Sequence, residues 1–325
     1  MLPSDPIIVF EVTPRCNLEC RFCYNVWKSR GYSSPAELSI PEITLLADSI
    51  DAVHPVSVAL TGGEPLLRED LALIAELFRS RGIKVGVVSN GILLDTESVE
   101  KLTDAGVSWF DISIPSISFE GYYRLTGFDG FAKAKRAMLA VKKAGARLTV
   151  SHIMTALNEG ETGQVIELAF AFSADAVALN RFVPGGEGQR NPDLLPTLQQ
   201  LDNSLSAAAN IASSLGMTVY ASIPVEDCLL QHDRYPGIEF GSCVCGERKW
   251  AVDPSGGLRI CEQSPEILGS LLESSFENII KNPAVAEFRR KSRRTDCGKC
   301  PAYGKCGGGC RFIRVSAEPD WQIGL

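Results

Sequence analysis

Across residues 7–183, short apolar and β-branched runs alternate with longer stretches whose apolar positions recur at helical spacing. The runs at 7–13, 56–61, 84–89, 109–114, 148–155 and 176–183 predict strands. Between them the spacing predicts helices near 40–52, 69–81, 96–105, 130–144 and 161–173, with a last one over 196–215. Strands joined through helices of this length pair in parallel. Six such units are too few for a closed eight-fold barrel, so the pattern predicts an open α/β fold, a partial (β/α)6 barrel of TIM-like design.

Barrels of this kind carry their chemistry where the C-terminal ends of the strands meet the following loops. The unusual segments of this chain fall there: TPRCNLECRFCYN after the first strand, TGGEPLL after the second, SNG after the third, SIPS after the fourth and PGGEGQ after the sixth. Glycine and proline also punctuate ordinary turns, so any one of these loops alone says little. Their common position at one end of the barrel says more.

The cysteines divide the chain. Of eleven, three stand at 16, 20 and 23, none lies in 24–227, and the other eight fall between 228 and 310. An odd count in a chain that opens MLPSDPIIVFEV, without the regions of a secretory signal, argues for thiolate ligation of metal and against a disulfide framework. The protein is therefore expected in the cytoplasm. Hydrophobic residues at 45% and charged ones at 22% describe an ordinary globular protein and exclude disorder. No apolar run approaches the ~18 to 20 residues of a membrane span. Thirty-nine acids against 32 bases give a net charge of −7, which disfavours a nucleic-acid coat.

Cys16, Cys20 and Cys23 form CxxxCxxC on a loop leaving the first strand. Three close thiolates can hold three corners of a 4Fe–4S cube and leave the fourth iron open to a substrate or cofactor. Structural zinc wants four ligands, and no histidine or fourth cysteine lies within 25 residues. With Phe22 before the last cysteine and GGEP (Gly62, Gly63, Glu64, Pro65) after the second strand, residues 5–215 resemble the radical S-adenosylmethionine enzymes. The resemblance implies that the open iron binds the amino and carboxylate groups of S-adenosylmethionine. It also implies reductive cleavage to methionine and a 5'-deoxyadenosyl radical that abstracts hydrogen from carbon. Gly62 and Gly63 would let the backbone approach the methionine amino group, with Glu64 holding or supporting it. Phe22 would face the adenine, Ser89, Asn90 and Ser113 would lie near the ribose or methionine part, and Arg124 would offer a fork to the carboxylate. Many relatives carry an aspartate two residues after the serine of the fourth strand, where this chain has Pro115.

From Cys243 onward glycine, cysteine and arginine rise and the β/α rhythm stops, which places a boundary at 222/223. Residues 1–222 would form the barrel and 223–325 a small Cys-rich α+β iron–sulfur domain. Cys245, Gly256 and Cys261, then CxxC at Cys297 and Cys300 and CxxxC at Cys306 and Cys310, with a helical insert at 272–291 between, resemble the SPASM extension that binds auxiliary 4Fe–4S clusters. The resemblance implies one cluster on Cys243, Cys245, Cys261 and Cys310 and a second on Cys297, Cys300 and Cys306. The second is open at one iron, completed by another residue, or completed by Cys228. A zinc ribbon on CxxC and CxxxC is the competing metal reading.

The resemblance implies oxidative modification, by crosslinking, dehydrogenation or decarboxylation, of a residue in a ribosomally made peptide or protein. The rival is a small-molecule oxidoreductase working on a sugar, tetrapyrrole or antibiotic precursor. Auxiliary clusters would take up the electron left after hydrogen abstraction or relay electrons from a flavodoxin- or ferredoxin-like donor. With no recognition domain ahead of the first strand, a separate protein is expected to present a leader peptide. No nucleic acid or membrane partner is expected, and no general base is assigned. His54, His152 and His232 read as structural or exposed, with His152, on the fifth strand, the one whose position leaves the barrel interior open to it. Asp111 on the fourth strand has the same ambiguity of face. The basic run FRRKSRR at 288–294 reads as a solvated helix end or a guide for an acidic peptide or an electron donor, and the loop at 183–192 as a wall of the substrate mouth or a mobile link.

Overall fold

The computed structural model describes residues 5–29, 31–291 and 297–316. Eleven strands form one sheet. The predicted strands are β1 (Ile7–Thr13), β2 (Ser57–Gly62), β3 (Lys84–Ser89), β4 (Val107–Ser113), β5 (Arg147–Met154) and β6 (Ala176–Arg181). All pair in parallel in that order, as the βαβ rhythm requires. The helices between them are α1 (Ile40–Asp51), α2 (Leu71–Arg79), α3 (Thr96–Asp104), α4 (Phe119–Thr126), α5 (Phe131–Lys143), α6 (Thr162–Ala171) and α7 (Leu198–Leu215). Sequence sets their ends. Ser39 with Glu42, and Thr197 with Gln200, close capping boxes on α1 and α7, and Gly216 ends α7 at φ 63°.

The sheet does not stop at the expected boundary. Two further parallel strands, β7 (Val219–Ala221) and β8 (Ile238–Phe240), extend it beyond β6. On the opposite side β9 (Lys249–Val252) pairs in parallel with β1, and an antiparallel meander through β10 (Gly257–Arg259) and β11 (Ile267–Ser270) follows. Past Cys243 the alternation of strand and helix does end, since β9, β10 and β11 follow one another with no helix between them, but the sheet itself continues through them. The expected insert at 272–291 holds two short helices, α8 (Phe276–Ile279) and α9 (Pro283–Lys291). Of the basic run, 288–291 belong to α9 and 292–294 lie outside the described residues.

Alternation along the strands separates two environments. Ile8, Phe10, Val58, Leu60, Val85, Val87, Phe110, Ile112, Leu148 and Val150 face the helices and are fully buried in one continuous core. The other parity faces the barrel lumen, and on β4 and β5 it is systematically more accessible, in patterns that alternate buried and half-buried positions. His152 takes the helix side, in keeping with a structural role, and not the interior that its strand position also left open. It is fully buried, its Nδ1 lies 2.9 Å from the Ile114 carbonyl, and burial holds its pKa below the ordinary histidine value.

Candidate functional site

The triad loop leaves β1 and is fixed from three sides. Gly63 N–H donates to the Thr13 carbonyl and Glu64 N–H to the Arg15 carbonyl, both at 2.8 Å. From α4, a helix the sequence pattern did not reveal, the Leu125 and Thr126 carbonyls accept from Arg21 and Glu19 N–H at 2.9 and 3.3 Å. The 183–192 loop closes the third side. Gly188 N–H donates to the Cys23 carbonyl at 3.2 Å, and Arg21 grips Asn191 and Asp193 at 2.9 and 2.8 Å.

Cys16, Cys20 and Cys23 converge electrostatically. Burial pushes up all three thiols, and for Cys20 repulsion from Cys23 and Cys16 adds to it. Lys28, whose Nζ donates to the Leu18 carbonyl at 2.8 Å, favours the thiolate at each. Among the described residues, the one set of three His, Cys, Asp or Glu donors lying within 4.8 Å of one another is Cys245, Cys261 and Glu262. Three sheltered thiols that feel one another and share a lysine fit, as donors, three corners of an iron–sulfur cube.

The GGEP loop explains itself by packing. A Cβ on Gly62 would lie 2.3 Å from the Thr13 carbonyl oxygen, and one on Gly63 2.0 Å from that of Arg15. Gly62 also sits at φ 129°. The missing side chains are therefore filled by the strand that leads into the triad. Glu64 is fully buried, and its carboxylate accepts from Ser89 Oγ at 2.8 Å, Asn90 N–H at 2.9 Å and Leu66 N–H at 3.2 Å. Burial pushes its pKa up to about 7 against those three donors. Asn90 Nδ2 continues to Asn17 Oδ1 at 2.8 Å, one residue from Cys16. A single network thus joins the second and third strand loops to the triad.

The remaining predicted contacts lie around the same mouth. Phe22 is half-buried and packs on the small cluster of Leu125, Phe182 and Leu194. Arg124 stands exposed on α4, beside the residues that bind the triad loop. Ser113 ends β4 on the lumen side, in register with Ser151. Pro115 directs its carbonyl to Asn158 Nδ2 at 2.7 Å.

Below the mouth the lumen is polar, which sequence reasoning did not anticipate. Glu11 pairs with Arg259 and Lys249 with Glu262. Burial pushes Glu11 up to about 8 in spite of Arg259. Burial alone would depress the Lys249 ammonium, and Glu262, Cys245 and Cys261 together more than reverse it. The Arg259 guanidinium also lies 4.7 Å from the centre of the Trp27 ring. Asp111 faces this space from β4, and burial pushes it up to about 6, with Ser151 and Lys249 opposing.

The C-terminal thiols meet in one place despite their separation in sequence. A hydrogen bond from Cys245 draws Cys243 down to about 6, while contacts with Cys243 and Cys261 hold Cys245 well above the ordinary thiol value. Cys310 is pushed up to about 12 by burial, and it feels Cys243 and Cys261 while Arg181 opposes. These four are the expected set for one auxiliary cluster, and they fit it as donors. The chain reaches Cys310 through Gly307, Gly308 and Gly309, at φ 60°, 88° and 79°. A Cβ on Gly309 would lie 2.4 Å from the Glu226 side chain. Cys297 and Cys306 are buried, Cys300 is partly buried and Cys228 is exposed.

Residues 10–169 match the Radical SAM superfamily, and residues 243–301 match the Iron-sulfur cluster-binding domain called SPASM. The AdoMet-dependent heme synthase of Methanosarcina barkeri is 27% identical over 99% of this chain and 95% of its own. The PqqA peptide cyclase of Methylocella silvestris is 28% identical over 96% of this chain and 84% of its own. Native anSMEcpe with bound AdoMet shares the fold, with a TM-score of 0.75 at 19% identity over 96% of this chain and 91% of that one. No helix among the described residues is long and apolar enough to cross a membrane.

Proposed function

Because the chain belongs to the radical SAM superfamily and carries a SPASM domain, with 4Fe–4S clusters and S-adenosylmethionine as cofactors, we propose that it oxidises a side chain of a ribosomally made peptide or protein. The product would be a crosslinked, dehydrogenated or decarboxylated residue. Cys16, Cys20 and Cys23 would hold the cluster that binds S-adenosylmethionine. Cys243, Cys245, Cys261 and Cys310 would hold one auxiliary cluster, and Cys297, Cys300 and Cys306 another. When bound, the first cluster and S-adenosylmethionine supply a carbon radical that abstracts hydrogen. The chain's own residues do the positioning. Glu64 locks the loops around the mouth, Gly62 and Gly63 seat the triad loop, Phe22 and its cluster offer an apolar wall, and the Arg21 clamp keeps the 183–192 loop closed against water.

One observation carries the peptide reading. The two basic groups named in the lumen, Arg259 and Lys249, already have acid partners, Glu11 and Glu262. A carboxylate-rich substrate would have to displace one of these partners to be received there. A peptide side chain makes no such demand. A second reading, a small-molecule oxidoreductase acting on a tetrapyrrole, is favoured by the near full-length match to the Methanosarcina barkeri heme synthase.

The test has two steps. Anaerobically reconstituted protein with dithionite and S-adenosylmethionine should release 5'-deoxyadenosine, and a Cys16→Ala, Cys20→Ala, Cys23→Ala triple variant should not. Short peptides encoded beside the gene are then incubated with the enzyme and weighed by mass spectrometry. Loss of two hydrogens or of carbon dioxide supports the peptide reading. Unchanged peptides together with turnover of a carboxylated tetrapyrrole would replace it with the second.

A further inference from the structure

The lumen contains an acid that the reading above leaves without a task. Asp111 projects from the middle of β4, on the parity that faces inward. Trp109, two residues below it, lies across Gly86 so closely that a Cβ there would sit 1.9 Å from the indole. That ring forms a floor. Ser113, two residues above Asp111 and about 7 Å further along the strand, stands at the mouth. Between floor and mouth the inward positions of β4 and β5 remain partly accessible, whereas the outward ones are sealed.

Three groups from other strands address the carboxyl. Ser151 on β5 and Lys249 on β9 favour its charged form, and Asp111 in turn raises Tyr220 on β7, whose pKa burial pushes up to about 12. Yet Oδ1 of Asp111 is fully buried with no hydrogen-bond partner among the described residues. Lys249 does not complete it, because its Nζ is held by Glu262. Arg259 does not either, being committed to Glu11 and to the Glu262 and Ser264 carbonyls. An acceptor sheltered in this way calls for a donor from outside the chain.

We propose that Asp111, assisted by Ser151 and the Tyr220 hydroxyl, seats a cationic N–H donor of the substrate, an ammonium or guanidinium on a flexible side chain, just above the Trp109 floor. The seat rests on the peptide reading, since it takes the tip of a basic side chain. The stem of that side chain would then run up the lumen to the level of Ser113, past the mouth where the triad loop stands. Asp111 is in this sense a residue that selects substrate and sets its depth.

Binding without turnover tests it. Reconstituted holoenzyme, without reductant or S-adenosylmethionine, is dialysed to equilibrium against radiolabelled butylammonium or methylguanidinium, with n-butanol and butyrate as comparators. Saturable uptake of both cations, about tenfold tighter than n-butanol and lost in Asp111→Asn at unchanged iron content, is the expected result. Tyr220→Phe and Ser151→Ala should each weaken cation uptake about threefold, and they carry the test if Asp111→Asn does not fold. Equal binding of n-butanol, undiminished cation uptake in Asp111→Asn, or no effect of both supporting substitutions would overturn the seat, as would absence of saturable uptake. Because no peptide is turned over, such a failure would leave the peptide reading standing. Unmodified peptides in the mass assay would instead sink that reading without moving the dialysis result.

Discussion

The triad loop and the C-terminal thiol cluster are both collections of sheltered cysteines, but they are assembled in different ways. Cys16, Cys20 and Cys23 lie within one turn-rich loop, and the rest of the chain only clamps it. Cys243, Cys245, Cys261 and Cys310 come from three separate segments, and Cys245 and Cys261 flank the turn by which β9, seated on β1, carries β10 back beside it. The thiols differ as well. The triad's are all raised by burial and share one cation, Lys28. The C-terminal ones share protons, so that Cys243 is drawn down while Cys245 is raised. A local motif depends on its clamps, whereas a distributed one depends on the sheet.

The largest effect should come from breaking the local motif outright. Cys20→Ser is expected to abolish 5'-deoxyadenosine release while removing only about four irons per chain, with auxiliary-cluster absorbance retained. Loss of all iron would show that the two regions are loaded as one. Next comes the clamp. Gly63→Ala drives a methyl into the Arg15 carbonyl at 2.0 Å. It should lower the thermal midpoint and the triad's iron content more than Gly298→Ala, whose Cβ would meet nothing within 4 Å. A cost of about 2–4 kcal/mol against less than about 1 kcal/mol is expected.

Glu64 gives a pH dependence to the local site alone. Its folded pKa is raised to about 7 from 4.5, so ionising it costs the folded protein and its stabilising effect is greatest below pH 4.5 and lost as pH rises toward 7. On the expectation that Glu64 supports the methionine amino group, the N–H donors of that iron-bound amine would favour the ionised carboxylate. Affinity measured by equilibrium dialysis should therefore rise up to about tenfold from pH 6 to pH 8, and Glu64→Gln should flatten the profile. A flat wild-type profile would separate Glu64 from the nucleotide. The smallest effect is expected from Lys28→Met. Without the shared ammonium, alkylation of the triad thiols in apoprotein should slow by about two- to fivefold, leaving Cys243 unchanged.

The same contrast governs how much could be read from the sequence. The six long strands and their helices were legible because an apolar run two or three residues either side of its true end still has the right period. CxxxCxxC and GGEP were legible because both are short-range patterns at strand ends. The helix α4 was missed, its eight residues carrying two exposed aromatics, Phe119 and Tyr123. The strands β9, β10 and β11, of three or four residues each, are too short to show a period, and β1, the partner that joins them to the barrel, lies far away in sequence. The Glu11–Arg259 pair spans 248 positions, and nothing near either residue announces the other. For Asp111 and His152 the alternation was visible but its phase was not, and the structure sends the acid inward and the imidazole outward.

The parallel pairing of β9 with β1 sets a timetable for biosynthesis. Ile7 to Phe10 leave the ribosome early, yet one edge of that strand has no neighbour until Lys249 to Val252 have followed. Until then the triad loop hangs from a half-finished edge. A truncated product stopping before Lys249 would keep the clamps on its first three cysteines yet leave that edge of β1 bare, open to pairing with a foreign strand.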